Sequence, residues 1–146
     1  MIKVVISEVN PVAAEGLRND LISQMNGQEE IRVVGYARDG LEVAQLASQL
    51  KPDIIFIDED LPGVSGYEAC GLAAAASPDT ACVILADSDL NAARVRGMRS
   101  GARAVLPREG ATSQLGELVK ELAKLSSVKK SDEFARVTDP ARMPLS

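Results

Sequence analysis

Acidic side chains gather where two apolar runs stop. Ile54-Ile55-Phe56-Ile57 runs without alternation and halts at Asp58, with Glu59 and Asp60 next; Ile2 to Ile6 runs likewise and ends at Ser7-Glu8. Short, β-branched or aromatic runs of this kind read as strands buried on both faces, the central strands of a parallel sheet. A carboxylate at the C-terminal end of such a strand lies where open α/β sheets bind ligands. If the first and third strands are neighbours, Glu8 and Asp58 meet at one edge of that crevice. Two carboxylates held close repel, and a hard divalent cation is the usual relief. Asp58 could also serve a small hydrolase or phosphatase as nucleophile. The chain has no histidine, which removes the commonest general base and weakens that reading. Aspartate is also common in turns for local reasons, so the strand end alone leaves a capping role open.

The elements that must position these acids follow in order. Asn10-Pro11 starts a helix running to about Gln24, with Val12, Ala13, Leu17, Leu21 and Ile22 as its apolar stripe. Ile31 to Ala37 is strand two. Asp39 caps helix two, where Val43, Ala44, Ala47 and Leu50 recur at helical spacing, and Pro52 hands the chain to strand three. Pro62-Gly63 turns it into helix three, Gly66 to Ala76, nearly uncharged. Strand four is Cys82 to Leu85 and ends at Ala86-Asp87-Ser88; helix four is about Leu90 to Ser100, closed by Gly101. Strand five is Ala102 to Leu106, followed by Pro107-Arg108. Helix five, about Ser113 to Leu125, buries Leu115, Leu118, Val119, Leu122 and Leu125. Five strands alternating with five helices predict an α/β fold: a doubly wound five-stranded parallel sheet of flavodoxin-like (βα)5 type.

Composition narrows the function. With 146 residues, 46% hydrophobic and 25% charged, the chain is one soluble domain able to bury a core, plus a tail. No apolar run approaches the roughly 18 residues of a membrane helix, and no signal peptide is evident, so membrane insertion is not expected and the cytoplasm is the expected location. A net charge of −5 argues against nucleic-acid binding. Cys70 and Cys82 lack metal-ligand spacing and read as small buried hydrophobes. No Gly-x-Gly-x-x-Gly follows strand one, which leaves nucleotide binding little support. A flavin carrier of this fold class would need a phosphate-cradling loop and aromatics, which here are only 3%.

Over residues 1–125 the sequence resembles the receiver domains of two-component response regulators. The matching stretches are Ile2-Lys3-Val4-Val5-Ile6 through Asn10-Pro11 and Glu15-Gly16-Leu17; Val33 to Gly40; Leu50-Lys51-Pro52-Asp53 through Asp58 to Leu61-Pro62-Gly63-Val64-Ser65-Gly66; and Gly101-Ala102. The resemblance implies that Asp58 is the residue that accepts a phosphoryl group from a histidine kinase. It further implies a Mg2+ site formed by Glu8, Asp58 and the backbone carbonyl of Asp60, and a dimer face made by helix four, strand five and helix five. On that face Arg94, Arg96 and Arg99 would meet Glu117 and Glu121 of a second copy.

The departures from the family pattern fall on the same site. The second acid after strand one is Val9, which cannot contact a metal. The hydroxyl residue after strand four is Ala86, the lysine after strand five is Arg108, and the aromatic switch position is Val105. Phosphoryl transfer is mostly positioning and charge neutralisation, so these changes predict weak Mg2+ binding and poor phosphorylation. Arg108 is expected to reach back and pair with Asp58 or Glu8, partly replacing the metal. The chain therefore reads as an atypical receiver, or pseudo-receiver: a signalling, localisation and protein-interaction module and not an enzyme. A working receiver with relaxed chemistry is the alternative, because Asp58 and Glu8 survive.

Residues 126–146 change character. Mixed charges and Pro140 and Pro144, without an apolar period, suggest a linker towards an effector domain that is missing here. Receivers of this kind resemble those preceding MinD-like ATPase domains in pilus-assembly and localisation proteins (the CpaE/TadZ type).

Overall fold

The computed structural model describes residues 1–25, 30–87, 89–108 and 115–124. Chain order is β1 (Ile2–Ser7), α1 (Pro11–Met25), β2 (Ile31–Tyr36), α2 (Gly40–Leu50), β3 (Ile54–Asp58), α3 (Gly66–Ala76), β4 (Ala81–Ala86), α4 (Leu90–Ser100) and β5 (Ala104–Pro107). A last helix, α5, spans residues 115–124. The five strands pair in parallel in the order β2-β1-β3-β4-β5, the predicted doubly wound sheet. Every residue of β3 and of β4 is buried, as unalternating apolar runs require.

Side chains of β3 divide between two cores. Ile55 and Ile57 join Val5, Val43, Ala47, Ala73 and Ile84 under α2, α3 and α4. Ile54 and Phe56 join Ile6, Leu21, Met25, Val83, Leu115 and Val119 under α1 and α5. Successive residues of a strand point to opposite faces, so one continuous run feeds both layers.

Helix starts follow the sequence signals. The Asn10 side chain accepts from the Val12 and Ala13 amides at 2.9 and 3.3 Å, and Asp39 accepts from the Glu42 amide at 2.8 Å. The stripe of α1 differs from the predicted one. Ala14, Leu21 and Met25 are buried with Leu17 packed beside them, whereas Val12 and Ile22 face outward. Strand five starts two residues later than predicted. Gly101 caps α4 in the left-handed conformation, φ 98°, and the Ala102 amide donates to the Gly97 carbonyl at 2.9 Å, so Ala102 belongs to the helix end. The expected ends of helix five, Ser113 and Leu125, and the tail 126–146 lie outside the described residues.

Candidate functional site

Four strands end together. Ser7 pairs with Ile57 and Asp58 with Leu85, which sets Glu8 beside Asp58 at the sheet's C-terminal edge. Ala86 pairs with Pro107, and the Arg108 amide donates to the Ala86 carbonyl at 3.0 Å. Arg108 therefore starts from the rim of the crevice, and its side chain folds back across it. Nη1 donates to Glu8 Oε1 at 3.0 Å and Oε2 at 3.2 Å, while Nη2 donates to Asp58 Oδ1. The expected pairing is present, and with both acids. Nε lies 3.1 Å from Asp87 Oδ1 but its N–H is not aimed at that oxygen, so this contact is Coulombic without a hydrogen bond. Asp58 Oδ1 also accepts the Asp60 amide at 3.0 Å.

Among the described residues, the site thus holds three carboxylates around one guanidinium. Glu8 and Asp58 are buried, and Arg108 remains 24% exposed. Burial, and then the neighbouring Asp58 carboxylate, push the Glu8 pKa up to about 7 against the pull of Arg108. Desolvation works to lower the Arg108 pKa, yet the combined fields of Asp58 and Glu8 hold it above its ordinary value. A planar fork with donors on both edges suits this bridging role better than a compact ammonium would.

The other sequence-predicted positions fall around this pair. Val9 is half exposed and offers no donor, and the Asp60 carboxylate points to solvent. Ala86 is buried with only a methyl group to present. Val105 is buried among Ile84 and its neighbours, with no polar atom. Arg94, Arg96 and Arg99 are exposed on α4; Glu117 and Glu121 are exposed on α5. A Mg2+ ion keeps several waters and binds through one or two carboxylates, here Glu8 and Asp58. Val9 withholds one oxygen, and the guanidinium already sits on the two carboxylates the ion would need; among the described residues no cluster of three acidic, His or Cys side chains could hold a metal.

Two contributors escaped the sequence reading. Asp87 was visible only as the residue ending strand four, and its position against Arg108 depends on the β4–β5 pairing. Glu59, expected to add charge at the strand tip, is instead buried. Its Oε1 accepts the Asp87 amide at 2.7 Å and its Oε2 accepts the Tyr67 hydroxyl at 2.9 Å. Tyr67 in turn lies beneath Arg96, whose Cζ is 4.1 Å from the ring centroid. No local pattern announces such a group, since its partners come from α3 and the β4–α4 loop.

Comparison with known proteins agrees with this geometry. The chain is 30% identical over 136 residues to the uncharacterized transcriptional regulatory protein YxjL of Bacillus subtilis, covering 93% of this chain and 61% of that protein. It is 34% identical over 79 residues to a protein-glutamate methylesterase/protein-glutamine glutaminase of Thermotoga maritima, covering 53% and 23%. The chain thus spans less than two thirds of these relatives. Among solved structures, the response regulator domain of Thermotoga maritima CheB superposes with a TM-score of 0.65 at 24% identity, over 87% of this chain and 97% of that one. The receiver domain of the sensor histidine kinase PA1611 of Pseudomonas aeruginosa, with a magnesium ion coordinated in its active-site cleft, gives 0.71 at 21% identity, over 84% and 98%. Residues 4–120 match the response regulator receiver domain, and with acids and a cation gathered at the ends of strands one, three and five, the chain belongs to that family of two-component signalling.

Proposed function

We propose that this receiver domain works as an interaction module for signalling and localisation, with Asp58 phosphorylated poorly or not at all. One observation carries the reading: the Arg108 guanidinium bonds both Glu8 and Asp58. The guanidinium occupies Asp58 Oδ1, and a divalent cation must compete with it for the same two carboxylates. Ala86 supplies no hydroxyl to receive the phosphoryl oxygens. Mg2+ binding is accordingly weak, in the millimolar range or above. Mass spectrometry after incubation with acetyl phosphate and Mg2+ tests this. Little or no adduct is expected; stoichiometric, Asp58-dependent phosphorylation within minutes overturns the reading and favours the alternative, a working receiver charged on Asp58 by a histidine kinase. That alternative draws on Glu8 and Asp58 standing side by side at the strand ends.

The module's partners are proteins in the cytoplasm, and its proposed self-contact is a homodimer through α4, β5 and α5. Arg94, Arg96 and Arg99 would face Glu117 and Glu121 reciprocally across a two-fold axis. Beyond residue 125 we place a linker to an effector domain, for which a MinD-like ATPase is one candidate.

A further inference from the structure

Five contacts run without a gap from the Asp58 pocket to the surface of α4. Arg108 Nη2 bonds Asp58, and Arg108 Nε lies 3.1 Å from Asp87 Oδ1. The Asp87 amide donates to Glu59 Oε1 at 2.7 Å. Glu59 Oε2 accepts the Tyr67 hydroxyl at 2.9 Å, and the Tyr67 ring carries Arg96 at 4.1 Å. Arg96 is exposed on α4, whereas Glu59 is buried. The positions where the family pattern has a hydroxyl and an aromatic, Ala86 and Val105, have no polar side-chain atom here.

We propose that Glu59 is a positioning residue that ties the state of Arg108 to the placement of Arg96 on helix four. The chemistry favours a stiff link. A buried carboxylate must be satisfied, and hydrogen bonds to it are short and strong. Its Oε1 fixes the backbone of Asp87, whose carboxylate stands 3.1 Å from Arg108 Nε in a Coulombic contact. Its Oε2 fixes Tyr67, and a phenol donating to a carboxylate has a more electron-rich ring, which holds a guanidinium more firmly. If Arg108 leaves Asp87, the loop that Glu59 holds relaxes, and the change passes through Tyr67 to Arg96. The link stands whether or not Asp58 accepts a phosphoryl group, so failure of the phosphorylation reading leaves it intact.

A contiguous path is geometry, and coupling needs its own measurement. The probe is the Arg96 Nε–Hε cross-peak in a 15N spectrum, assigned with Arg96→Lys. Arg108→Lys is the perturbation, introduced into the wild-type sequence and into Glu59→Leu/Tyr67→Phe. Removing both together avoids leaving the Tyr67 hydroxyl without its acceptor. The expected result is a shift of the Arg96 peak on Arg108→Lys in the wild-type background and loss of that shift in the double variant. No shift in the wild-type background, or the same shift in both, overturns the proposal. If Arg108→Lys does not fold, Asp87→Asn is the perturbation, with the same two outcomes.

Discussion

One guanidinium among three carboxylates makes the stability of this domain depend on pH in a defined direction. The folded pKa of Glu8 is raised from 4.5 to about 7. The unfolded chain therefore releases this proton at lower pH than the folded one. Stability from this group is complete below pH 4.5, falls as pH rises from about 4.5 to about 7, and is level above. A shift of that size corresponds to about 3 kcal/mol. Urea midpoints measured from pH 5 to 8 should decline towards neutrality, and Glu8→Gln should flatten the decline; a flat wild-type profile would refute the assignment. Arg108→Ala removes the countercharge that bonds both acids. At pH 7 it should cost near the lower end of the roughly 3–5 kcal/mol for breaking a buried ion pair, because the guanidinium keeps some solvent contact. The loss should shrink at pH 4, where Glu8 is protonated. Asp58 and Glu8 were legible because strand ends show as interrupted apolar runs. Glu59 was not, because its burial depends on Tyr67 and Asp87, eight and 28 residues away in sequence.

Among the elements, α3 reads differently in space than in sequence. In sequence it shows only as a nearly uncharged helix. In the structure Ala69, Cys70 and Ala73 pack on the sheet, and Gly71 and Ala74 lie against the end of α4. A Cβ on Gly71 would stand 3.7 Å from the Ser100 carbonyl, and one on Gly101 3.6 Å from Ala74 Cβ. The small side chains thus let α3 and α4 approach, a use that composition does not separate from an interface. Gly66 is tighter still. A Cβ there would fall 2.1 Å from the Asp58 carbonyl oxygen, at the first turn of α3. Gly66→Ala must push the helix off the strand that carries Asp58. A loss of about 2 kcal/mol or more is expected, in the range of overpacked cores, and a thermal melt checks it. The fold itself was readable to within a few residues, because long periodic segments and caps are local signals. The late start of β5 was missed because the cap of α4 consumes Ala102, and that is settled by backbone bonding.

For the whole molecule, the proposed self-contact uses α4 with α5. Arg96 is a poor probe of it, since the same side chain already stacks on Tyr67. Arg99→Glu is cleaner. Sedimentation at tens of micromolar is expected to show a dimer for the wild type and a monomer for Arg99→Glu, with Ala75→Glu on the outer side of α3 leaving the dimer intact. The strand order carries a different consequence, for synthesis. Once β1, β2 and β3 are paired, β4 and β5 join successively at one growing edge. A chain leaving the ribosome can lay down the sheet in that order. The layer beneath it cannot be finished so early. Ile54, Phe56, Val83 and Leu85 share their cluster with Leu115, Val119 and Leu122 of α5, and the Gly116 amide donates to Gln24 Oε1 on α1 at 2.7 Å. Until those last turns emerge, the part of that flank beside α1 stays uncovered, and this is the interval in which a nascent chain is most open to aggregation or chaperone capture.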